Sequence, residues 1–273
     1  MSTEPFGVAI VGCGNIAARY AEDLRRYPHL VLRGVTDLDP ARSHAMATDV
    51  GCRTYLDSDA LLADPEVAVV VNLTSHRAHG PVTRAALEAG KHVFSEKPMA
   101  LGAAEARSLN TVADARSLRL GSAPIVLLGE LAQTAWRTVR NGDLGTVRLA
   151  YADVNWGRVE RWHAAPQPFF DAGPLFDVGV YPLTLLTGIL SPAVRVTASA
   201  TTLLAQRSTL DSQRFSVESP DCVVAVVELA DGTLVRLTAS ARLGSLVRAG
   251  VALCVAESAV VRRPASAYFT VGG

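Results

Sequence analysis

Three groups of residues in this chain have the types and spacings to do chemistry. The first is Glu96-Lys97-Pro98, in the stretch "VFSEKPMA". Lys97 and Lys91 are the only two lysines among 26 basic residues. An ammonium is a compact donor whose pKa shifts readily, whereas a guanidinium stays charged, so a lysine kept among arginines points to a chemical role. Pro98 fixes its own φ and keeps Lys97 out of helical geometry, which lets the ammonium be aimed away from a helix surface. The second group is Gly12, Gly14 and Ala17 in "VGCGNIA", a GxGxxA pattern. Gly12 permits a tight turn, Gly14 lets the backbone approach a pyrophosphate, and Ala17 lets helix and strand pack, while the helix-start amides around Asn15 and Ile16 face the phosphates. The third group is Asp177 and Tyr181 in "GPLFDVGVYPL". With Pro174 in the first turn of a helix, they fall four residues apart on one face, a carboxylate and a phenol able to orient a substrate and exchange a proton with it. The same spacing also suits a core tyrosine and a helix-terminus acid.

The elements that position these groups follow from the hydrophobic pattern. "FGVAIVG", "LVLRGVTD", "VAVVVNLTS" and "KHVFSE" read as strands, separated by helical runs "NIAARYAEDLRRYP", "PARSHAMATDVG" and "GPVTRAALEAG". Strands alternating with helices predict a doubly wound parallel sheet of Rossmann type over residues 1–122. Asp37 ends the second strand, about 20 residues after the glycine loop, where a carboxylate accepts hydrogen bonds from a ribose and repels a 2′-phosphate. Leu38 beside it offers no positive charge, so the pattern favours NAD over NADP. Asp37 could instead cap the helix opening at Pro40, for which Asp39 is the better placed, and S-adenosylmethionine is the competing ligand. From about Ala123 the rhythm changes. A helix in "LGELAQTAWRTVRNGDLG", stopped by Gly142 or Gly145, leads into longer strands, "TVRLAYADVNWG", "AVRVTASATT", "CVVAVVELA" and "TLVRLTASA", the last two joined by Asp231-Gly232. This predicts an α+β domain over 123–273 with a mostly antiparallel, open-faced sheet.

The glycine loop, Asp37 and "LTSHRAHGPVTRAALEAGKHVFSEKPMA" together resemble the glucose-fructose oxidoreductase and inositol dehydrogenase family, Gfo/Idh/MocA. The resemblance implies an NAD(P)-dependent dehydrogenase acting on a secondary alcohol of a sugar, polyol or cyclitol. In that family the lysine of EKP, here Lys97, contacts both nicotinamide and substrate, and the Lys-Pro bond is often cis. Thr74 and His79 match the segment passing the cofactor, whereas Ser75 and His76 replace its usual Pro-Asn; His79 is equally readable as a packed histidine at a helix start. Glu96 belongs to the same cofactor-binding set. The family's DxGxY form matches Asp177 and Tyr181, which by analogy orient the substrate and exchange its proton. "ERWHAAPQPFFDAG" resembles a branch whose Trp-His and Phe-Phe pairs line the substrate pocket, implicating Trp162, His163, Phe169 and Phe170. The resemblance also implies self-association through the second-domain sheet. The family fold continues beyond the point where this chain stops, so the second domain is expected to be either a fragment or a shortened form, and a non-catalytic dinucleotide sensor or inactive truncated member is the alternative function.

Bulk properties narrow the field. Lys+Arg and Asp+Glu balance at 26 each, so no overall positive field draws the chain to nucleic acid or an anionic membrane. Cys13, Cys52, Cys222 and Cys254 have neither CxxC nor metal-ligand spacing and read as small buried residues. The amino terminus has no basic region before its apolar run, and no run is expected to reach the roughly 20 apolar residues that cross a bilayer. The expected location is the cytoplasm.

Overall fold

The computed structural model describes residues 5–163, 165–241, 248–255 and 266–270. The chain divides into two compact units, Met1–Ala123 and Pro124–Gly273.

The first unit runs Phe6–Val11 (β1), Ala17–Leu24 (α1), Leu30–Thr36 (β2), Pro40–Val50 (α2), Arg53–Thr54 (β3), Ser58–Ala63 (α3), Val69–Asn72 (β4), His79–Glu88 (α4), His92–Ser95 (β5), Ala103–Ala115 (α5) and Leu120–Ser122 (β6). Helix α2 shows how local sequence sets the boundaries. The Asp39 side chain accepts from the Ala41 N–H, Pro40 occupies the first turn, and Gly51 ends the helix at φ 66°, where a side chain would be strained. The six strands are all parallel, in the order β3-β2-β1-β4-β5-β6. Alternation on β1 sends Val8 and Ile10 into a cluster with Ala17, Ala21 and Met46, and Ala9 and Val11 into another with Leu87 and Leu109. Helices therefore cover both faces, which is why these strands read as continuous apolar runs.

Strand order reverses at β1/β4, and ligands of open α/β sheets bind beyond the carboxyl ends at such a reversal. Val11 pairs with Asn72, and Asn72 with Ser95. The segments leaving β1, β4 and β5 thus start side by side. These are the glycine loop, the Thr74 loop and Glu96-Lys97-Pro98.

The second unit contains Glu130–Arg140 (α6), Val147–Asn155 (β7), Gln167–Pro174 (α7), Val180–Ile189 (α8), Ala193–Thr201 (β8), Gln206–Ser208 (β9), Arg214–Ser216 (β10), Cys222–Leu229 (β11), Leu234–Ser240 (β12), Arg248–Val255 (β13) and Ser266–Thr270 (β14). Its main sheet has the order β14-β13-β7-β12-β11-β8, antiparallel except for the β7/β12 pair. β13 and β14 lie where the sequence pattern announced no strand. Helices α6 and α8 cover one face through Ala132, Ala135, Leu185, Leu186 and Ile189, packed on Ala150, Ala225, Val227, Val235 and Leu237. Val224, Val226 and Leu234 stand exposed on these strands. The Asp231-Gly232 turn closes with the Leu229 N–H donating to the Thr233 carbonyl at 2.9 Å, Gly232 supplying φ 85°.

Two expectations need correction. The run Gln167–Ile189 is long and apolar enough, by length and composition, to cross a bilayer, but half of its most apolar window is buried inside the protein. Gly173, at φ 75° and ψ 162°, breaks it into two helices, as suits a core element. Nor does Pro174 open a regular α-helix: Leu175–Gly179 is a π-helical turn leading into α8, so Asp177 sits in the wide turn and Tyr181 in the helix after it. Such turns concentrate at functional sites.

Candidate functional site

The glycine loop is built on two different demands. Gly12 has φ 97°, and a Cβ there would stand 2.7 Å from the Leu73 carbonyl oxygen, so the fold itself requires glycine. Gly14 lies outside the left-handed region, and a Cβ on it would meet no protein atom within 4 Å. Among the described residues, no contact requires glycine at 14. Gly14, Asn15 and Ile16 are exposed, and α1 starts without a side-chain cap, so its first-turn amides can serve an anion. Ala17 is buried where helix meets strand.

Asp37 is not the cap of α2; Asp39 is. The Asp37 carboxylate accepts from the Cys13 N–H at 2.7 Å and the Asp39 N–H at 2.8 Å, tying the glycine loop to the end of β2. A carboxylate has about four acceptor positions, so each oxygen can still take a ribose hydroxyl. Leu38 beside it is fully exposed and brings no cation. Burial and the Asp37 charge push the Cys13 thiol up to about 12, which makes it inert. Cys13, Cys52 and Cys222 are free thiols; the Cys254 side chain lies outside the described residues.

The Thr74 and Glu96-Lys97-Pro98 segments are joined by a buried polar network that the sequence pattern does not reveal. Asn72, wholly buried at the end of β4, donates to the His79 carbonyl at 3.0 Å and the Thr83 hydroxyl at 3.2 Å, and accepts the Thr74 hydroxyl at 2.7 Å. Its one signal is a polar residue closing the run "VAVVVN". The His79 ring is 1% exposed, with Nδ1 2.7 Å from the Pro98 carbonyl and Nε2 3.0 Å from the Thr74 carbonyl. Burial pushes its pKa down, against the pull of these carbonyls. Glu96 takes the Tyr20 hydroxyl at 2.6 Å and the Lys97 N–H at 2.9 Å. The Lys97-Pro98 peptide is cis. Lys91 serves the fold, its buried ammonium donating at 2.8 Å to the carbonyls of Asp64 and Val67. Scarcity of lysine alone therefore does not single out Lys97. Its place after β5 does.

In the second unit Asp177 is buried and Tyr181 half-buried. Trp162, His163 and Phe169 form an aromatic cluster with ring centroids 4.8 to 6.0 Å apart, and His163 Nδ1 accepts from the Ala165 N–H. Trp162 is half exposed, available to a ligand. Phe170 departs from the pocket expected of it: it is buried with Val159, Val217 and Ala241 beneath the Arg207 guanidinium, 4.3 Å from its ring. Arg207 is itself buried between Glu160, at 2.9 Å, and Asp221, at 2.5 Å. Asp221 also accepts the Leu203 and Leu204 N–H groups. This triad fastens the segment carrying Trp162 and His163 to β9.

Residues 6–123 match the family model "Oxidoreductase family, NAD-binding Rossmann fold" of Gfo/Idh/MocA, and residues 132–249 match that family's C-terminal domain. A dTDP-3,4-didehydro-2,6-dideoxy-alpha-D-glucose 3-reductase of Streptomyces violaceoruber is 32% identical over 69% of this chain and 56% of its own length. A D-xylose 1-dehydrogenase (NADP(+)) of Hypocrea jecorina is 31% identical over 62% of this chain and 46% of its own. The chain thus spans about half the length of these curated relatives. The crystal structure of GenD2 from gentamicin A biosynthesis, in complex with NAD, superposes with TM-score 0.83 at 26% identity, covering 98% of this chain and 73% of that one.

Proposed function

The chain belongs to the Gfo/Idh/MocA oxidoreductase family, and on that premise we propose that it is an NAD-dependent dehydrogenase of a secondary alcohol on a sugar, polyol or cyclitol. The observation that carries the reading is the exposed, uncapped start of α1 at Gly14, Asn15 and Ile16, with the Asp37 carboxylate tied to the same loop. Asp37 would hold the adenosine ribose, with Gly14, Asn15 and Ile16 at the pyrophosphate and Thr74 and Glu96 further along the same edge. Asp37 beside an uncharged Leu38 supports NAD over NADP, although the D-xylose relative carries NADP in its name. The relatives' names support a sugar as substrate.

A dinucleotide held by Gly14, Asn15, Ile16 and Asp37 would supply the hydride acceptor for the alcohol carbon, and in reverse the hydride donor for the ketone. In the first unit Lys97 is the group proposed to stabilise charge on a reacting oxygen; in the second, Tyr181 is the group proposed for proton exchange and Asp177 for substrate orientation. Trp162 and His163 contribute an aromatic surface to the substrate side. Cytoplasmic placement, and self-association through the sheet face that exposes Val224, Val226 and Leu234, belong to the same proposal.

The test is calorimetric titration with NAD and NADP, then a screen of sugars, polyols and cyclitols followed by reduced-cofactor absorbance. Failure to bind either dinucleotide ends the proposal. Binding without turnover on any candidate assigns the chain to the sensor class instead.

A further inference from the structure

The turn that carries Lys97 is held from several sides. The Glu96 N–H donates to the Asn72 carbonyl at 2.9 Å, and the Glu96 carboxylate is engaged by the Tyr20 hydroxyl and the Lys97 N–H. Beyond Lys97, the Pro98 carbonyl faces Nδ1 of His79, whose Nε2 faces the Thr74 carbonyl. One ring therefore spans the segments leaving adjacent strands β4 and β5, and its own backbone carbonyl is held by Asn72. We propose that His79 is a positioning residue: its imidazole clamps the Glu96-Lys97-Pro98 turn to the Thr74 loop and so sets the direction of the Lys97 ammonium. This deepens the dehydrogenase reading and rests on Lys97 being its working group.

Both ring nitrogens face carbonyl oxygens and the ring is 1% exposed, so His79 has no polar atom left to offer a dinucleotide. Packing alone would be served by an apolar ring, and a buried imidazole facing two carbonyls at hydrogen-bond distance is costly unless its donors are used. A neutral imidazole donates to one carbonyl, an imidazolium to both. Glu96 favours the proton on His79 and Lys97 opposes it, so the clamp lies within reach of the charges on the turn it holds.

The two-lysine composition supplies a direct readout. In protein grown with isotope-labelled lysine, the side-chain NMR spectrum contains signals from Lys91 and Lys97 alone, assigned through Lys97→Arg. His79→Phe keeps a ring and removes both ring nitrogens; His79→Gln keeps one donor group. The Lys97 signal is expected to shift by more than its linewidth in both variants, further in His79→Phe than in His79→Gln, while Lys91 stays in place and NADH affinity holds within about threefold. An unmoved Lys97 signal in both variants overturns the clamp, as does a loss of NADH affinity beyond about tenfold with Lys97 unmoved, which would make the ring a cofactor contact. If Lys91 also moves in His79→Phe, the fold has been disturbed, and His79→Gln decides by the same criterion. No turnover is needed. A failed clamp leaves the dehydrogenase reading standing, and a chain that never turns over leaves the clamp standing.

Discussion

Replacing Gly12 and Gly14 by alanine, one at a time, should separate folding from binding within a single loop. At Gly12 the new methyl meets two obstacles. An L-residue at φ 97° costs about 1–2 kcal/mol. The Cβ also stands 2.7 Å from the Leu73 carbonyl oxygen and 2.9 Å from the Thr74 nitrogen, backbone atoms that must shift at a cost of about 1–3 kcal/mol. Gly12→Ala should thus lose about 2–5 kcal/mol, lowering the melting temperature of the first unit by about 8–20 °C. At Gly14 the methyl enters open space, and the reduced freedom of the unfolded chain should stabilise by about 0.4–1 kcal/mol. On the proposed placement the same methyl would stand in the path of the pyrophosphate, so NAD affinity should fall about 10- to 100-fold. Thermal unfolding without ligand and NAD titration of each variant read the two quantities separately. If Gly14→Ala binds NAD like the parent, or Gly12→Ala melts like it, the assignment of one glycine to the fold and the other to the ligand is wrong.

Lys97→Met should leave NAD affinity within about threefold while lowering turnover by about 100-fold or more, and Lys97→Arg should not restore it, because a guanidinium is larger and differently hydrated; steady-state rates on a substrate found by the screen decide this. Tyr181→Phe should lower the rate by about 100- to 10,000-fold through loss of proton exchange; a rate equal to the parent's would remove Tyr181 from the chemistry. Arg207→Met strands the Glu160 and Asp221 carboxylates inside the second unit and should cost about 3–5 kcal/mol in urea unfolding; a loss comparable to a surface substitution would contradict the burial described. Burial and a hydrogen bond to Asp64 push the Tyr55 hydroxyl from 10.0 up to about 12. Between those values the folded state holds a proton that the unfolded state has released, so this contribution to stability is full below pH 10 and is lost as pH rises through about 12. Unfolding midpoints across that window should fall less steeply in Tyr55→Phe.

The parallel sheet was legible because each of its longer strands is buried on both faces and each helix carries its own punctuation, such as Asp39, Pro40 and Gly51 around α2. The glycine loop and Glu96-Lys97-Pro98 could be placed at strand ends for the same reason. The ties between loops could not be read. Asn72, Tyr20 and His79 join segments brought together by strand order, and no local pattern announces that the hydroxyl of Tyr20 meets Glu96, 76 residues away. In the second unit the π-helical turn at Leu175–Gly179 escaped notice because "LFDVG" has the composition of an ordinary helix, and wide turns are set by packing. The branch resemblance places Phe170 with the substrate pocket, while its position under Arg207 depends on a strand about 40 residues later.

The Glu160-Arg207-Asp221 cluster has a consequence for how this protein can vary by descent. Losing any one member leaves its partners charged in a dry interior, so a lineage cannot drift through single substitutions at these positions without a sharp penalty.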